Sequence, residues 1–149
     1  TESVGVIRTL AEDDAREWPL RLGGAFKQHL DRDALPEGGG DERENDVTND
    51  AGLELVSTLT NPLADGAILW TSDLNVYQAL YYSESEELEG RPGADDWKSP
   101  DVDWENTFSA GITEHITVSL YLQMLYDKQI DSDVRFKETL SLGLTFRML

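Results

Sequence analysis

The chain has 149 residues, of which 30 are acidic and 12 are basic, and its formal net charge is −18. A chain this acidic is a poor partner for nucleic acid, because binding to a phosphate backbone requires a basic surface that displaces counterions. Cysteine is absent, which excludes a disulfide framework and a thiolate metal site. The acidic, lysine-poor surface is typical of proteins from a salt-loving (halophilic) host.

Apolar and polar residues alternate along most of the chain, a period-two pattern that predicts β-strands. In chain order the predicted strands lie at about 3–10, 17–30, 52–60, 67–80, 102–113, 116–126 and 134–148. Short connections favour the pairing of consecutive strands as antiparallel hairpins. We therefore expect seven sequential strands and no long helix between Glu17 and Leu80.

The last predicted strand shows the alternation most clearly. One of its faces carries Val134, Phe136, Leu140, Leu142, Leu144, Phe146 and Met148. The other face carries small, polar and basic residues, among them Arg135, Lys137 and Arg147. Glu138 alone interrupts the apolar face, and we expect it near a strand end, at a β-bulge or against a protein neighbour.

The connections between the strands differ in length. The links at 11–16, 61–66 and 114–115 are short, whereas acidic loops that contain glycine and proline are predicted at about 31–51 and 81–101. Bacterial outer-membrane barrels have short turns at one end and longer loops at the other. The pattern predicts one domain over residues 1–149, an all-β, antiparallel up-and-down (meander) β-barrel in the bacterial outer membrane, in contact with the lipid bilayer.

Aromatic residues of the apolar face are expected near the strand ends. Those predicted at the short-turn rim are Trp18, Trp70 and Phe146. Those predicted at the long-loop rim are Trp104, Tyr126 and Phe136. Two such belts are typical of proteins that cross a membrane, and the alternative is that these rings are ordinary core residues.

The number of strands bears on how the barrel closes. Six reversals separate the first strand from the seventh, so the two run in the same direction, whereas single-chain bacterial barrels have an even number of antiparallel strands. We therefore expect at least one strand before Thr1, which makes the chain the C-terminal portion of a longer barrel. Its sheet edges stay open until an N-terminal half or another polypeptide completes the barrel.

Three segments resemble a known family. They are DVDWEN at 101–106, the hairpin ITEHITVSLYLQMLYD that ends at Asp127, and RFKETLSLGLTF at 135–146. Weaker similarity lies in SVGVIR, LRLGGAF and LWTSDLNVYQALYY. The chain thereby resembles the C-terminal half of domain-of-unknown-function family 3078 of the Bacteroidota, whose members are predicted to form outer-membrane β-barrels. The resemblance implies that fold and location and supplies no catalytic residue; the chain departs from the family in ending on Met148 and Leu149 rather than on an aromatic residue.

The polar faces of the predicted strands carry charged residues that would line a barrel lumen. These residues are Arg21, Lys27, His29, Asp73, Asp103, Glu105, Arg135, Lys137 and Arg147. They form either a solute path or a satisfied polar plug, and the sequence does not choose between the two.

Sites for metals and catalysis are only weakly indicated. Asp127, Asp131 and Asp133 share one predicted loop and could bind calcium, but the glycine and terminal glutamate of an EF-hand loop are absent. His29 and His115 are the only histidines, and no G-x-S-x-G signature accompanies them. We therefore predict no catalytic, cofactor-binding or metal site and no enzyme activity, with calcium in this loop as an alternative.

The sequence thus predicts an outer-membrane protein with a structural, porin-like or envelope-interaction role. One alternative is a soluble or periplasmic β-barrel that binds an apolar ligand with its apolar face turned inward, and another is a barrel-wall hydrolase that uses His29. The outer-membrane protein and the soluble barrel differ in whether the apolar face points outward or inward. A face that meets lipid exposes Leu120, Leu122, Leu142 and Leu144. The opposite face then partly encloses Glu105, Arg135 and Lys137.

Overall fold

The computed structural model describes residues 1–13, 15–34 and 44–145, and its strands form one antiparallel sheet in sequence order. The strands are β1 (Glu2–Glu12), β2 (Glu17–Ala34), β3 (Glu44–Leu63), β4 (Ile68–Tyr82), β5 (Asp101–Gly111), β6 (Ile116–Asp127) and β7 (Asp131–Leu144). A 3-10 turn at Asp96–Lys98 lies in the connection between β4 and β5. The predicted all-β meander of seven antiparallel strands is therefore confirmed.

No helix in the described part of the chain is long and apolar enough to span a bilayer.

The register of the last hairpin follows the predicted alternation. Leu120 of β6 lies opposite Leu140 of β7, and Ile116 lies opposite Leu144. Residues directly opposite each other on adjacent strands project to the same side of the sheet. The prediction that the leucines of β6 and β7 share one face is confirmed.

The predicted loop at about 31–51 is too long, because regular pairing continues into its acidic sequence. The backbone of β2 pairs with that of β3 through Asp31 and Asp46 and, after a register shift, through Ala34 and Glu44. A hairpin ladder forms between main-chain groups whatever the side chains, so acidic residues that obscure the alternation do not end the strands. Residues 35–43 lie outside the described residues. The connection after β4 spans 83–100, close to the predicted loop at about 81–101.

The seventh strand begins at Asp131, three residues before the predicted start. Asp131 pairs with Asp127, which shortens the turn that was expected between β6 and β7. Phe146, Arg147 and Met148, which were predicted to belong to this strand, lie outside the described residues.

The sheet curls strongly toward its polar face. A Cβ atom at Gly23 would lie 2.2 Å from the carbonyl oxygen of Val4, and one at Gly52 would lie 2.1 Å from that of Gln78. Both glycines project to the polar side, where neighbouring strands crowd each other. Glycine inside a strand is typical of such close backbone approach.

A contact across three strand spacings shows how far the curl extends. Lys27 Nζ of β2 lies 3.1 Å from Asp101 Oδ2 of β5. In a flat sheet these strands would be about 14 Å apart, beyond the reach of the two side chains. The polar face is therefore concave and the apolar face convex.

The sheet is a single layer with two open edges. Neither β1 nor β7 pairs on its outer side with another described strand, so the sheet is not closed. Among the described apolar residues only Ala25 and Tyr77 are buried, and both project to the concave side. Since a soluble domain buries its apolar surface between layers, the convex face lacks its partner.

Candidate functional site

The convex face of the five inner strands carries no charged side chain in the ranges where its side chains are described. Register places on it the alternating positions 18–30 of β2, 47–63 of β3, 68–78 of β4, 102–110 of β5 and 116–126 of β6. Its few polar members are neutral amides and hydroxyls, among them Ser57, Ser72 and Asn106. A surface of this kind suits a medium that does not solvate charge.

The four leucines whose exposure distinguishes a lipid-facing apolar face from a buried one are exposed to solvent. The exposed fraction is 36% for both Leu120 and Leu122, 67% for Leu142 and 60% for Leu144. The expected exposure of these four leucines is therefore confirmed. Glu105 on the opposite face is half-buried, as expected.

The expectation for Arg135 and Lys137 is wrong, because both side chains are exposed. They lie on β7, whose outer side has no neighbour among the described strands. An edge strand is covered on neither face when the sheet does not close, so their exposure follows from the open edge.

Three tryptophans of the convex face form hydrogen bonds within the sheet. The indole Nε1 of Trp18 donates to Ser57 Oγ at 2.9 Å, that of Trp70 to Asn106 Oδ1 at 3.1 Å, and that of Trp104 to Ser72 Oγ at 3.0 Å. Each bond joins adjacent strands, and Ser72 and Asn106 are buried beneath the rings. The indole N–H groups therefore need no hydrogen bond from water.

An aromatic depression of about 770 Å³ lies on the convex face between β4 and β7. Its rings belong to Trp70, Trp104, Phe108 and Phe136. Trp70 stacks on Phe108 with ring centroids 5.9 Å apart. The depression is mostly apolar, and its polar lining residues are Asn106, Gln123, Lys137 and Glu138.

The predicted aromatic belts fall only partly at strand ends. Trp18 is the second residue of β2, Trp70 the third of β4 and Tyr126 the last but one of β6. Trp104 and Phe136 lie further in, as the fourth residue of β5 and the sixth of β7. The belts remain a prediction, and Phe146 lies outside the described residues.

In the part of the chain that the structure describes, the concave face carries two ion pairs, Arg21–Glu54 and Lys27–Asp101. Arg21 forms an ion pair with Glu54 and also donates to Ser3 Oγ at 2.8 Å. Glu54 is 8% exposed, so its partner compensates for lost solvation. Gln123 Nε2 donates to Asp103 Oδ1 at 2.9 Å and continues the polar ladder on β5 and β6.

Lys27 is the centre of a cluster of interacting side chains on the concave face, here called the Lys27 cluster. Besides its ion pair with Asp101, its Nζ lies 3.5 Å from the centroid of the Tyr77 ring. The Tyr77 hydroxyl donates to Asp50. A cation held against an aromatic face and a carboxylate in a half-buried site is strongly constrained.

The Lys27 cluster borders a cleft of about 300 Å³ near the ends of the strands that carry the long loops. Its carboxylates belong to Glu54, Asp101, Asp103 and Asp127, and its cations to Lys27 and Arg135. Four carboxylates against two cations leave the cleft acidic, which attracts cations and repels anions.

The structure brings together most of the predicted lumen residues and adds four others. Register places Arg21, Lys27, His29, Asp73, Asp103, Glu105, Arg135 and Lys137 on the concave face. Asp50, Glu54, Tyr77 and Asp101 were not among the predicted residues. Glu54 had a usable signal, because it lies between Leu53 and Leu55 in an alternating run. Asp50 and Asp101 were assigned to loops, and Arg147 lies outside the described residues.

In the acidic turn between β6 and β7, carboxylates accept hydrogen bonds from backbone N–H groups two residues further along the chain. Asp127 Oδ1 accepts from the backbone N–H of Gln129 at 3.0 Å, and Asp131 Oδ1 accepts from that of Asp133 at 3.1 Å. Such bonds are typical of turns. In the described ranges no three His, Cys, Asp or Glu side chains gather as metal ligands, and calcium in this turn remains an untested alternative.

The two histidines lie far apart in the fold. His29 is on the concave face opposite Thr48, and His115 is in the turn between β5 and β6. The barrel-wall hydrolase that was considered from the sequence remains a hypothesis.

The long connection after β4 is held against the strands and the β6–β7 turn by a ring stack, a hydrogen bond and an ion pair. Trp97 stacks on Tyr82 at 6.0 Å, and Gln78 Nε2 donates to the carbonyl oxygen of Lys98 at 2.9 Å. Lys128 Nζ, in the β6–β7 turn, donates to Asp96 Oδ1 at 3.0 Å. This hydrogen bond raises the pKa of Lys128 above its ordinary value.

Comparison with known proteins finds no match to a family model, to a curated protein or to a solved structure.

Proposed function

We propose that the chain is part of a bacterial outer-membrane β-barrel with a structural, porin-like or envelope-interaction role. The observation that carries the proposal is the convex face of the inner strands, which is apolar and free of charge in its described ranges and has exposed leucines on β2, β3 and β6. An arginine or lysine on a lipid-facing strand costs roughly 2–4 kcal/mol at mid-membrane, so a charge-free face is what lipid selects.

The tryptophan hydrogen bonds support the same environment. In hydrocarbon an indole N–H without an acceptor is strongly unfavourable. Ser57, Ser72 and Asn106 supply that acceptor from within the sheet. In water the same N–H groups would be satisfied by solvent.

The direction of the curl favours lipid over the soluble alternative. A soluble barrel that binds an apolar ligand has its apolar side chains on the concave side. Here the concave side carries the Arg21–Glu54 and Lys27–Asp101 pairs, and the apolar side chains are convex. We infer that the paired charges line the lumen and that, if the lumen conducts, its acidic cleft favours cations.

The barrel is completed by strands from another polypeptide segment. Backbone N–H and C=O groups at an open sheet edge cannot be left unpaired in hydrocarbon. Both β1 and β7 have such an edge. Because these strands run in the same direction, an all-antiparallel barrel needs an odd number of additional strands.

Flotation with phospholipid vesicles tests the proposal. We expect the chain to float with the vesicles and to need detergent for extraction. Phospholipids brominated on their acyl chains should quench Trp18, Trp70 and Trp104 in variants that retain a single tryptophan. Trp97, in the connection after β4, is the matched control and should be quenched little. Extraction into plain aqueous buffer, with no quenching of the three sheet tryptophans, would contradict the proposal.

A further inference from the structure

Among the described residues, charged side chains on the apolar face lie on the two edge strands; apart from Glu2, the first residue of β1, they are Arg8 and Glu138. Arg8 of β1 lies opposite Leu20, and Glu138 of β7 lies opposite Leu122. Both leucines belong to the convex face, so the charges project to the same side. In the ranges where their side chains are described, the five inner strands carry no such charge on this face.

Glu138 is not where two of the three sequence expectations placed it. It is the eighth of the 14 residues of β7, so it is not near a strand end. It pairs in regular register with Leu122, while the register shift of this hairpin lies between Leu125 and Asp127. The remaining expectation is a protein neighbour.

Both charges are exposed and unsatisfied within the described part of the chain. Neither the Arg8 guanidinium nor the Glu138 carboxylate forms a hydrogen bond or ion pair with another described residue. Each lies on a strand whose outer backbone groups are also unpaired. A neighbouring strand would satisfy the backbone and the charge together.

The direction of the edges argues against a second copy as that neighbour. Since β1 and β7 run in the same direction, a copy rotated about the curl axis would join β7 to the copy's β1 as a parallel pair. A copy turned over would restore antiparallel pairing but would place its long loops at the opposite end. A different segment with an odd number of strands meets both edges antiparallel.

We propose that β7 docks an antiparallel β-strand that places an arginine or lysine against Glu138, and that β1 docks one that places a carboxylate against Arg8. The two edges thereby have opposite charge preferences, which fix which end of the partner segment joins which edge. This inference rests on the proposed barrel, because only closure requires both edges to be occupied.

Two synthetic strand peptides test the edge preferences. Both have 14 alternating apolar and small polar residues, the length of β7, and they differ only in a central lysine or glutamate on the apolar side. The full chain is folded in detergent micelles, and hydrogen exchange locates each peptide. We expect the lysine peptide to protect the amides of β7 and the glutamate peptide those of β1. At β7 the lysine peptide is attracted to Glu138 and the glutamate peptide is repelled by it, so the lysine peptide should bind about tenfold more tightly.

Matched variants complete the test. Glu138→Lys should reverse the preference at β7 and leave β1 unchanged, whereas Arg8→Glu should do the converse. Protection of both edges by both peptides alike, or of neither edge, overturns the inference. So does a disulfide between copies when Arg8→Cys and Glu138→Cys chains are mixed, because the chain itself has no cysteine and such a bond reports β7 paired with β1 of a second copy.

The same samples separate this inference from the proposed function. A chain that floats with vesicles but shows no charge preference at its edges contradicts the edge pairing alone. A chain that does not float contradicts the membrane barrel, whatever the peptides do.

Discussion

The two faces of the sheet satisfy their polar groups in different ways. On the concave face, charged groups pair with each other across strands, as Lys27 does with Asp101 at 3.1 Å. On the convex face the hydrogen-bonding groups are neutral, and each indole bonds to a serine or asparagine of the next strand. These bonds are formed within the sheet, without solvent. The difference is that the concave face tolerates water and charge, whereas the convex face of the inner strands provides for neither.

The two faces of the sheet are stabilised by different interactions. The concave face depends on close backbone approach and ion pairs, and both are lost by single substitutions. The convex face depends more on its surroundings, because many of its leucines are exposed, among them Leu22, Leu53 and Leu120. Substitutions of the paired charges or of the closely packed glycines on the concave face should therefore destabilise the fold in any solvent, whereas the effect of those on the convex face should depend on lipid.

The largest effect is expected at the curl. Gly52→Val would place a branched side chain where even a Cβ lies 2.1 Å from the carbonyl oxygen of Gln78. We expect a loss of about 3 kcal/mol or more in the free energy of unfolding, at the upper end for forced overpacking. Urea denaturation in micelles measures it. Gly143→Ala, whose Cβ would have its nearest contact at 3.7 Å, is the matched control, and equal losses in both variants would refute the close approach.

The next effect is expected at the buried ion pair. Glu54→Ala leaves the Arg21 guanidinium with Ser3 as its remaining partner. We expect a loss of about 3 kcal/mol, at the lower end for breaking a buried pair because Arg21 is partly exposed. Asp73→Ala removes an exposed carboxylate from the same face and should change stability by less than about 0.5 kcal/mol. If the two variants unfold at the same denaturant concentration, Glu54 does not stabilise the concave face.

A smaller effect is expected at the tryptophan hydrogen bonds. Trp104→Phe and Ser72→Ala should couple by about 1 kcal/mol in a double-mutant cycle, the net value of one hydrogen bond. Unfolding in lipid vesicles gives the four stabilities. Trp104→Phe combined with Ser57→Ala is the control, because Ser57 accepts from Trp18 instead. Coupling of the same size in both cycles would show that the indole bond is not its source.

The smallest effect concerns the fastened connection after β4. The raised pKa of Lys128 means that its bond to Asp96 stabilises the connection below the ordinary lysine pKa, and that this contribution is lost as pH rises through the raised value. We expect faster exchange of amides in 83–100 at alkaline pH. Measured relative to intrinsic exchange rates, this pH effect should be absent in Lys128→Met. An unchanged pH profile in that variant would exclude the ion pair as the cause.

The sequence was sufficient for the strands because alternation reports which side of a strand meets an apolar environment. It was insufficient for the ends of β2 and β3, where acidic residues obscure the period while backbone pairing continues to Ala34 and Glu44. The start of β7 at Asp131 was missed for the same reason.

The face of the sheet on which a residue lies was easier to predict from the sequence than the residues that it contacts. Glu54 and Lys27 lie at alternating polar positions, but the bond from Lys27 to Asp101 depends on the curl across three strand spacings. The acceptors Ser72 and Asn106 were visible only as polar interruptions of apolar runs. Their pairing with Trp104 and Trp70 depends on register, which one strand read alone does not contain.

The orientation of the two faces in a bilayer is tested most directly by spin labels at single cysteines along β6. The chain has no cysteine of its own, so each label reports one position from Thr117 to Met124. We expect oxygen, which partitions into lipid, to relax labels at 118, 120, 122 and 124, and a water-soluble nickel complex to relax those at 117, 119, 121 and 123. The opposite alternation, or labels along the whole strand accessible to nickel alone, would contradict a lipid-facing convex surface.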